Sequence, residues 1–246
     1  MPSIRPVLGL APLLLVACAP ANAAAPEAAT PSPHAAHAHE GHPHGAPGHS
    51  PDGAFHHDFS DADKWAKRFD DPARDAWQKP ADVVRLLDVR EGMTVADIGA
   101  GTGYFEPYLA KAVGTTGTVL ALDVEQTLVD YMQQRMTREG LSQVRAAKIP
   151  FDSPELPDGK VDRILIVDTW HHIGFREAYS AKLAKALGPE GRLAIVDFTL
   201  EATDGPPREH RITPEKVIAE LAEGGLVGEI AAEDLPQQYV VLARRR

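Results

Sequence analysis

The sequence predicts an α/β protein: a mostly parallel sheet with helices on both faces, closed at its C-terminal end by an antiparallel hairpin. Three observations lead there. Short apolar strand patterns alternate with helical ones from Thr94 to Phe198, and that alternation builds parallel sheets. The first strand runs into a glycine-rich turn, Gly99-Ala100-Gly101-Thr102-Gly103, that opens a helix. Two β-rich stretches, 226–231 and 238–243, then end the chain and can pair.

In chain order, residues 65–69 and 72–88 read as helical lead-in segments. The second carries an apolar stripe of Val83, Val84, Leu86 and Leu87. Residues 94–98 form a short buried strand, 104–113 a helix and 119–122 a second strand. A helix over 126–139 leads to a weak strand at 144–147 and a strong one at 164–167. A helix over 176–187 precedes the fifth strand, 193–198. The next helix opens at Thr213-Pro214-Glu215, where Thr caps, Pro suits the first turn and Glu faces the positive dipole end. It stops at Gly224-Gly225.

The chain has 246 residues, 43% hydrophobic and 24% charged, which suits one α/β domain with extra segments. Its 25 basic and 35 acidic residues give a net charge of −10. That balance argues against a nucleic-acid partner held by a broad basic face. A single Cys excludes an internal disulfide framework and any multi-thiolate metal site.

That Cys stands at position 18, behind Arg5 and an apolar run over 7–17. The run is shorter than the roughly 20 residues a spanning helix needs, and suits a signal peptide covering 1–17. Leu15-Val16-Ala17-Cys18 resembles the lipobox of bacterial lipoproteins. The resemblance implies lipidation of Cys18 and a membrane tether. Ala19 after it implies the periplasmic face of the outer membrane, within the bacterial cell envelope. Residues 19–54 contain no Val, Ile, Leu, Met, Phe, Trp or Tyr, so 18–54 reads as a lipidated Cys and a disordered linker. Eight of the 11 histidines fall at 34, 37, 39, 42, 44, 49, 56 and 57. Irregular spacing favours a solvated linker, although flexible His tracts can also bind Zn, Cu or Ni loosely. The folded domain is expected over 55–246.

The chemistry begins at Asp97-Ile98-Gly99-Ala100-Gly101-Thr102-Gly103. Glycines let the backbone turn tightly and let a ligand approach main-chain N–H groups. A dinucleotide fingerprint would need a third glycine at 104 or 106, where Tyr104 and Glu106 stand. Asp123 closes the next strand, where a carboxylate can accept both ribose hydroxyl protons of a nucleoside.

Asp-x-Gly-x-Gly-x-Gly followed by Asp123 resembles motif I and the next acidic position of the class I S-adenosylmethionine-dependent methyltransferases. Phe151 to Pro157 lies where that family holds adenine, with Asp152 matching its acidic position. Asp168-Thr169-Trp170-His171-His172-Ile173 resembles motif IV. Leu187-Gly188-Pro189-Glu190-Gly191-Arg192-Leu193 resembles the family's Leu-x-Pro-Gly-Gly-x-Leu turn, with Glu190 replacing one glycine. Asp70-Asp71-Pro72, Arg74 and Trp77-Gln78-Lys79-Pro80 resemble the lead-in of a bacterial subgroup.

The resemblance runs from about Trp65 to the end and implies a Rossmann-like fold with a seven-stranded sheet. It also implies S-adenosylmethionine as cosubstrate, with no metal required. Asp97, Gly99, Ala100, Gly101, Thr102, Gly103, Asp123, Asp152 and Asp168 are then the cosubstrate-binding set. The acceptor is expected to be a small molecule, methylated by in-line displacement. His171 is the candidate catalytic base, with a packing role as the other reading. Trp77 and Tyr104 are candidate pocket walls. His210-Arg211 is either a cover for the acceptor or a plain surface loop. Two further readings stay open: a non-catalytic S-adenosyl or nucleoside-binding envelope lipoprotein, and a His-rich metal-handling lipoprotein. Oligomeric state leaves no mark in the sequence.

Overall fold

The structure, a computed structural model, describes residues 58–246. The expected signal peptide, Cys18, and the histidines at 34–57 lie outside the described residues. Helix α1 (Ala62–Phe69) is capped by Asp61, whose carboxylate accepts the Lys64 amide. The helix expected over 72–88 is instead a 3-10 turn (Pro72–Arg74), α2 (Asp75–Gln78) and α3 (Pro80–Leu86). The break falls at Lys79, which adopts φ 45°. The ring of Pro80 disfavours the right-handed helical conformation in the residue before it.

The remaining elements follow the expected order: β1 (Thr94–Ile98), α4 (Glu106–Val113), β2 (Thr118–Asp123), α5 (Gln126–Glu139) and β3 (Val144–Lys148). Next come β4 (Val161–Val167), α6 (Arg176–Ala186), β5 (Leu187–Phe198), α7 (Pro214–Glu223), β6 (Leu226–Ile230) and β7 (Gln238–Arg245). Strand β5 begins six residues before the expected 193, taking in the Gly-Pro-Glu-Gly segment. Its register with β4 shifts there: Val161 pairs Leu187 and Arg163 pairs Arg192, so β5 bulges.

The seven strands lie in the order β3-β2-β1-β4-β5-β7-β6. β1 to β5 run parallel, and β7 runs antiparallel to both β5 and β6. The C-terminal strand thus inserts between β5 and β6. Alternate strand residues feed two cores. Ile164, Ile166, Leu193 and Ile195 pack with Leu183 of α6 and Leu221 of α7. On the other face Val95, Val119, Leu165 and Val196 pack with Val84 of α3 and Leu109 of α4. Met132 and Met136 of α5 cover Ala121 of β2. No helix among the described residues is long and apolar enough to cross a membrane.

Register places the chemistry. Ile98 pairs Leu122 and Ile166, and Val167 pairs Val196. The carboxyl ends of β1, β2, β4 and β5 therefore share one edge, and each brings an aspartate there: Asp97, Asp123, Asp168 and Asp197. In open α/β sheets ligands bind at this edge, where the strand order reverses.

Candidate active site

The glycine loop is fastened to β2 by three amides. Those of Gly99 and Ala100 donate to the Leu122 carbonyl at 2.8 and 3.0 Å. That of Gly101 donates to Asp123 Oδ2 at 2.8 Å. Gly101 has φ 61°, and a Cβ there would meet only Phe69 of α1, at 3.5 Å. Gly101 thus leaves room for one further atom, in contact with the Phe69 ring. Asp123 is 6% exposed, and its Oδ1 accepts the Glu125 amide at 2.9 Å. Burial raises its pKa, against the amides that favour the charged form.

Thr102 is buried, and its hydroxyl donates to Asp70 Oδ1 at 2.7 Å. Arg135 of α5 binds the same oxygen at 2.8 Å and the Thr102 carbonyl at 3.2 Å. The lead-in segment and α5 therefore clamp the loop from outside. Ala100 packs against the Met132–Met136 cluster, and Gly103 closes the turn by donating to the Ala100 carbonyl at 3.0 Å.

Asp97 is 3% exposed, and burial pushes its carboxyl up to about 7. Asp168, just past β4, has φ 51°. One of its oxygens lies 3.3 Å from Arg74, and the other accepts from Gln238, which itself accepts from Gln78. Burial pushes Asp168 up to about 7, with Arg74 opposing. The Arg74 guanidinium also lies 4.2 Å from the Tyr104 ring centroid. The same guanidinium lies 5.7 Å from the Trp77 ring centroid, so Arg74 ties Tyr104 to the lead-in.

His171 sits in the turn Trp170–His172 and is 4% exposed. Its Nδ1 is 2.9 and 3.0 Å from the two carboxylate oxygens of Asp197. Asp197 Oδ1 also accepts the Phe198 amide at 2.8 Å. Burial opposes charge on His171, but the Asp197 charge and hydrogen bond outweigh it and raise its pKa. Neighbouring Trp170 donates from Nε1 to Glu220 Oε2 at 2.9 Å, and Arg176 Nε binds Oε1 at 3.0 Å.

Asp152 differs from these buried carboxyls in exposure, with 81% of its side chain open to solvent. It lies on the exposed turn after β3, its carboxylate 4.0 Å from the Lys182 ammonium. The 199–211 loop is gathered by Arg211, which donates to the carbonyls of Pro206, Thr199, Leu200, Ala202 and Asp204. Arg211 thereby acts as a clip within the loop.

Participants that escaped sequence reasoning include Asp197, Glu106, Gln238 and the loop-clamping Arg135. Asp197 left a trace, a carboxylate inside the apolar run Ile195-Val196-Asp197-Phe198. Glu106, the first residue of α4, is fully buried. Gln238 carried no sequence signal. Among the described residues there is no group of three or more His, Cys, Asp or Glu that could hold a metal ion.

Comparison with known proteins bears on this geometry. A family described as a methyltransferase domain matches residues 95–191. A solved S-adenosylmethionine-dependent methyltransferase of Aquifex aeolicus is 32% identical, with a TM-score of 0.70. The match covers 76% of this chain and 98% of that one. The methyltransferase GfsG of Streptomyces halstedii is 31% identical over 136 residues, covering 54% of this chain and 48% of its own length. A ubiquinone/menaquinone biosynthesis C-methyltransferase of Pseudomonas putida is 29% identical over 122 residues, 47% of this chain and 46% of that one. The chain spans about half the length of these curated relatives.

Proposed function

Because the chain belongs to the S-adenosylmethionine-dependent methyltransferases, we propose that it methylates a small-molecule acceptor by in-line displacement. The observation that carries this reading is the hydrogen bond from the Gly101 amide to Asp123, 2.8 Å long. It joins the glycine loop to the carboxylate expected to hold a ribose. The residues fit such a cosubstrate: a left-handed glycine at 101 with room for a further atom and a buried carboxylate beside it. When bound, S-adenosylmethionine supplies a methyl group already activated on sulfur, so no covalent nucleophile is required of the chain.

The chain's own part is alignment and exclusion of water. Asp123 would accept the ribose hydroxyls. Gly99, Ala100, Gly101, Thr102 and Gly103 would line the amino-acid portion, with Asp97 beneath them. Asp152 would meet the adenine amino group, and Asp168 would complete the cosubstrate-binding set. For an acceptor that must lose a proton, His171 is the base. Asp197 keeps a proton on Nδ1, which places the basic lone pair on the opposite ring nitrogen. Calorimetry of the full chain with S-adenosylmethionine tests the site, and mass spectrometry of methylated products then identifies the acceptor. Asp123→Ala is expected to weaken binding at least tenfold. Absence of binding by the wild type, or equal binding by the variant, refutes the assignment.

The same chain is proposed to be lipid-anchored through Cys18 at the periplasmic face of the outer membrane. Support comes from the apolar run over 7–17 and from Leu15-Val16-Ala17-Cys18. Fractionation of wild type and Cys18→Ala tests it: membrane recovery that depends on Cys18 is expected, and a cytosolic wild type overturns it.

A further inference from the structure

Beneath the glycine loop lies a feature that the methyl-transfer reading leaves unused. Glu106 is the first residue of α4, the helix that the loop opens, and it is fully buried. Neither oxygen of its carboxyl accepts a hydrogen bond from another described residue, so a charged Glu106 would stand unpaired. A buried polar group left in that state costs about 1–3 kcal/mol, so the position calls for a partner. A Cβ on Gly103 would lie 3.3 Å from Glu106 Oε2, with Met132 and Met136 closing the other side. The carboxyl is thus packed against the underside of the loop itself.

Its charged neighbour is Asp97, the buried residue of β1 two positions before the loop. Burial raises the pKa of Asp97, and the nearby Glu106 carboxyl, acting as a hydrogen-bond donor, holds the rise back. Burial and the Asp97 charge hold Glu106 itself well above the carboxylate range. Other charged groups face the pair from every side. Asp123 of β2 adds negative charge at Asp97, and Arg74 of the lead-in adds positive charge there. Arg135 of α5 adds positive charge at Glu106 but is already engaged with Asp70 and Glu139.

Two carboxyls in a dry site cannot both ionise without a compensating cation. S-adenosylmethionine carries a sulfonium and an ammonium against one carboxylate, a net positive charge. We propose that Glu106 acts through Asp97 as a positioning residue for the cosubstrate: its carboxyl keeps its proton and donates to Asp97, and Asp97 gives up its own proton when the cationic ligand settles on the loop. This inference rests on the cosubstrate reading above. The balance is simple: a bound cation arrives, and one proton departs from Asp97 to solvent while Glu106 keeps its own. Glu106 thereby couples affinity to pH without touching the ligand.

The test is calorimetry of S-adenosylmethionine binding to the full chain, in buffers of different ionisation enthalpy, from pH 5.5 to 8.5. Wild type, Glu106→Gln and Glu106→Leu are compared. The wild type should release a fraction of a proton near pH 7, and affinity should rise with pH by at most about tenfold per unit before levelling off. Glu106→Gln keeps a donor beside Asp97, so the midpoint of that rise should stay within about half a unit. Glu106→Leu removes the donor, so Asp97 should hold its proton longer and the midpoint should move up by about one unit. Intact binding with no proton release by the wild type overturns the proposal while leaving the cosubstrate reading standing. Equal weakening by both variants with an unmoved midpoint also overturns it, since that marks plain packing. If Glu106→Leu does not fold, the wild-type proton count and the Glu106→Gln midpoint still decide. Absence of any binding by the wild type overturns both readings together.

Discussion

Substituting Gly99 by Ala perturbs the point where the glycine loop touches the turn after β4. Gly99 has φ 76°, and an added Cβ would lie 2.2 Å from Thr169 Oγ1, 2.4 Å from its Cγ2 and 2.8 Å from its Cβ. Two costs add. The left-handed backbone strains an L side chain by about 1–2 kcal/mol, and forcing Thr169 aside adds about 1–3 kcal/mol of overpacking. Gly99→Ala should therefore destabilise the chain by about 2–5 kcal/mol, lowering Tm by roughly 5–15 °C for a domain of this size. Urea unfolding of Gly99→Ala, Thr169→Ala and the double variant separates the terms. Thr169→Ala removes the two nearest atoms and forfeits the Thr169 hydroxyl bond to the Val167 carbonyl, 2.8 Å long. In that background the cost of Gly99→Ala should shrink by about 1–2 kcal/mol. An unchanged cost would mean that the Thr169 hydroxyl and methyl do not press on the loop, and would refute that part of the reasoning.

Trp170→Phe should cost about 1–3 kcal/mol, because Glu220 Oε2 loses its buried donor; chemical denaturation measures it. Asp97 implies a pH effect with a definite sign. Its folded pKa, pushed up to about 7 by burial, exceeds its ordinary 3.8. The unfolded chain therefore gives up that proton first, and stability falls as pH rises from about 4 through 7. This one group should make the chain about 2 kcal/mol less stable at pH 8 than at pH 5.5. Asp97→Asn should flatten that slope, and an equally steep slope in the variant would refute the attribution. His171 titration followed by NMR should move to lower pH in Asp197→Asn, because the charge that outweighs burial is removed; an unmoved titration would mean that Asp197 does not hold the ring.

What could be read from the sequence follows from where the determining physics lies. The β1 strand and the α5 helix were legible because local pattern and tertiary burial agree. Val95 to Ile98 is wholly buried, and α5 ends at Gly140, whose φ of 69° suits a glycine cap. The break at Lys79 went unread, although Pro80 signals it, because the apolar stripe over 83–87 suggested one helix. The order of the last two strands was written in their side chains. β7 carries the unbroken buried run Gln238–Val241, as a strand covered on both faces must. β6 leaves Val227 and Ile230 about half exposed, as an edge can.

The site divides along the same line. Asp97, the glycines and Asp123 sit within one β-α-β unit, so spacing alone reveals them. Asp197 meets His171 only because β5 lies parallel to β4 in a register that sets Val196 against Val167. Glu106 could be read as an ordinary first-turn helix acid, stabilised by the dipole. Its significance comes from being buried against a second carboxyl, which no local pattern records. The residues proposed to line the ligand show in local sequence, whereas those that set the protonation of its neighbours, Asp197 beside His171 and Glu106 beside Asp97, show only through burial and packing. Substitutions of the second kind should leave the binding motif intact and change how binding depends on pH.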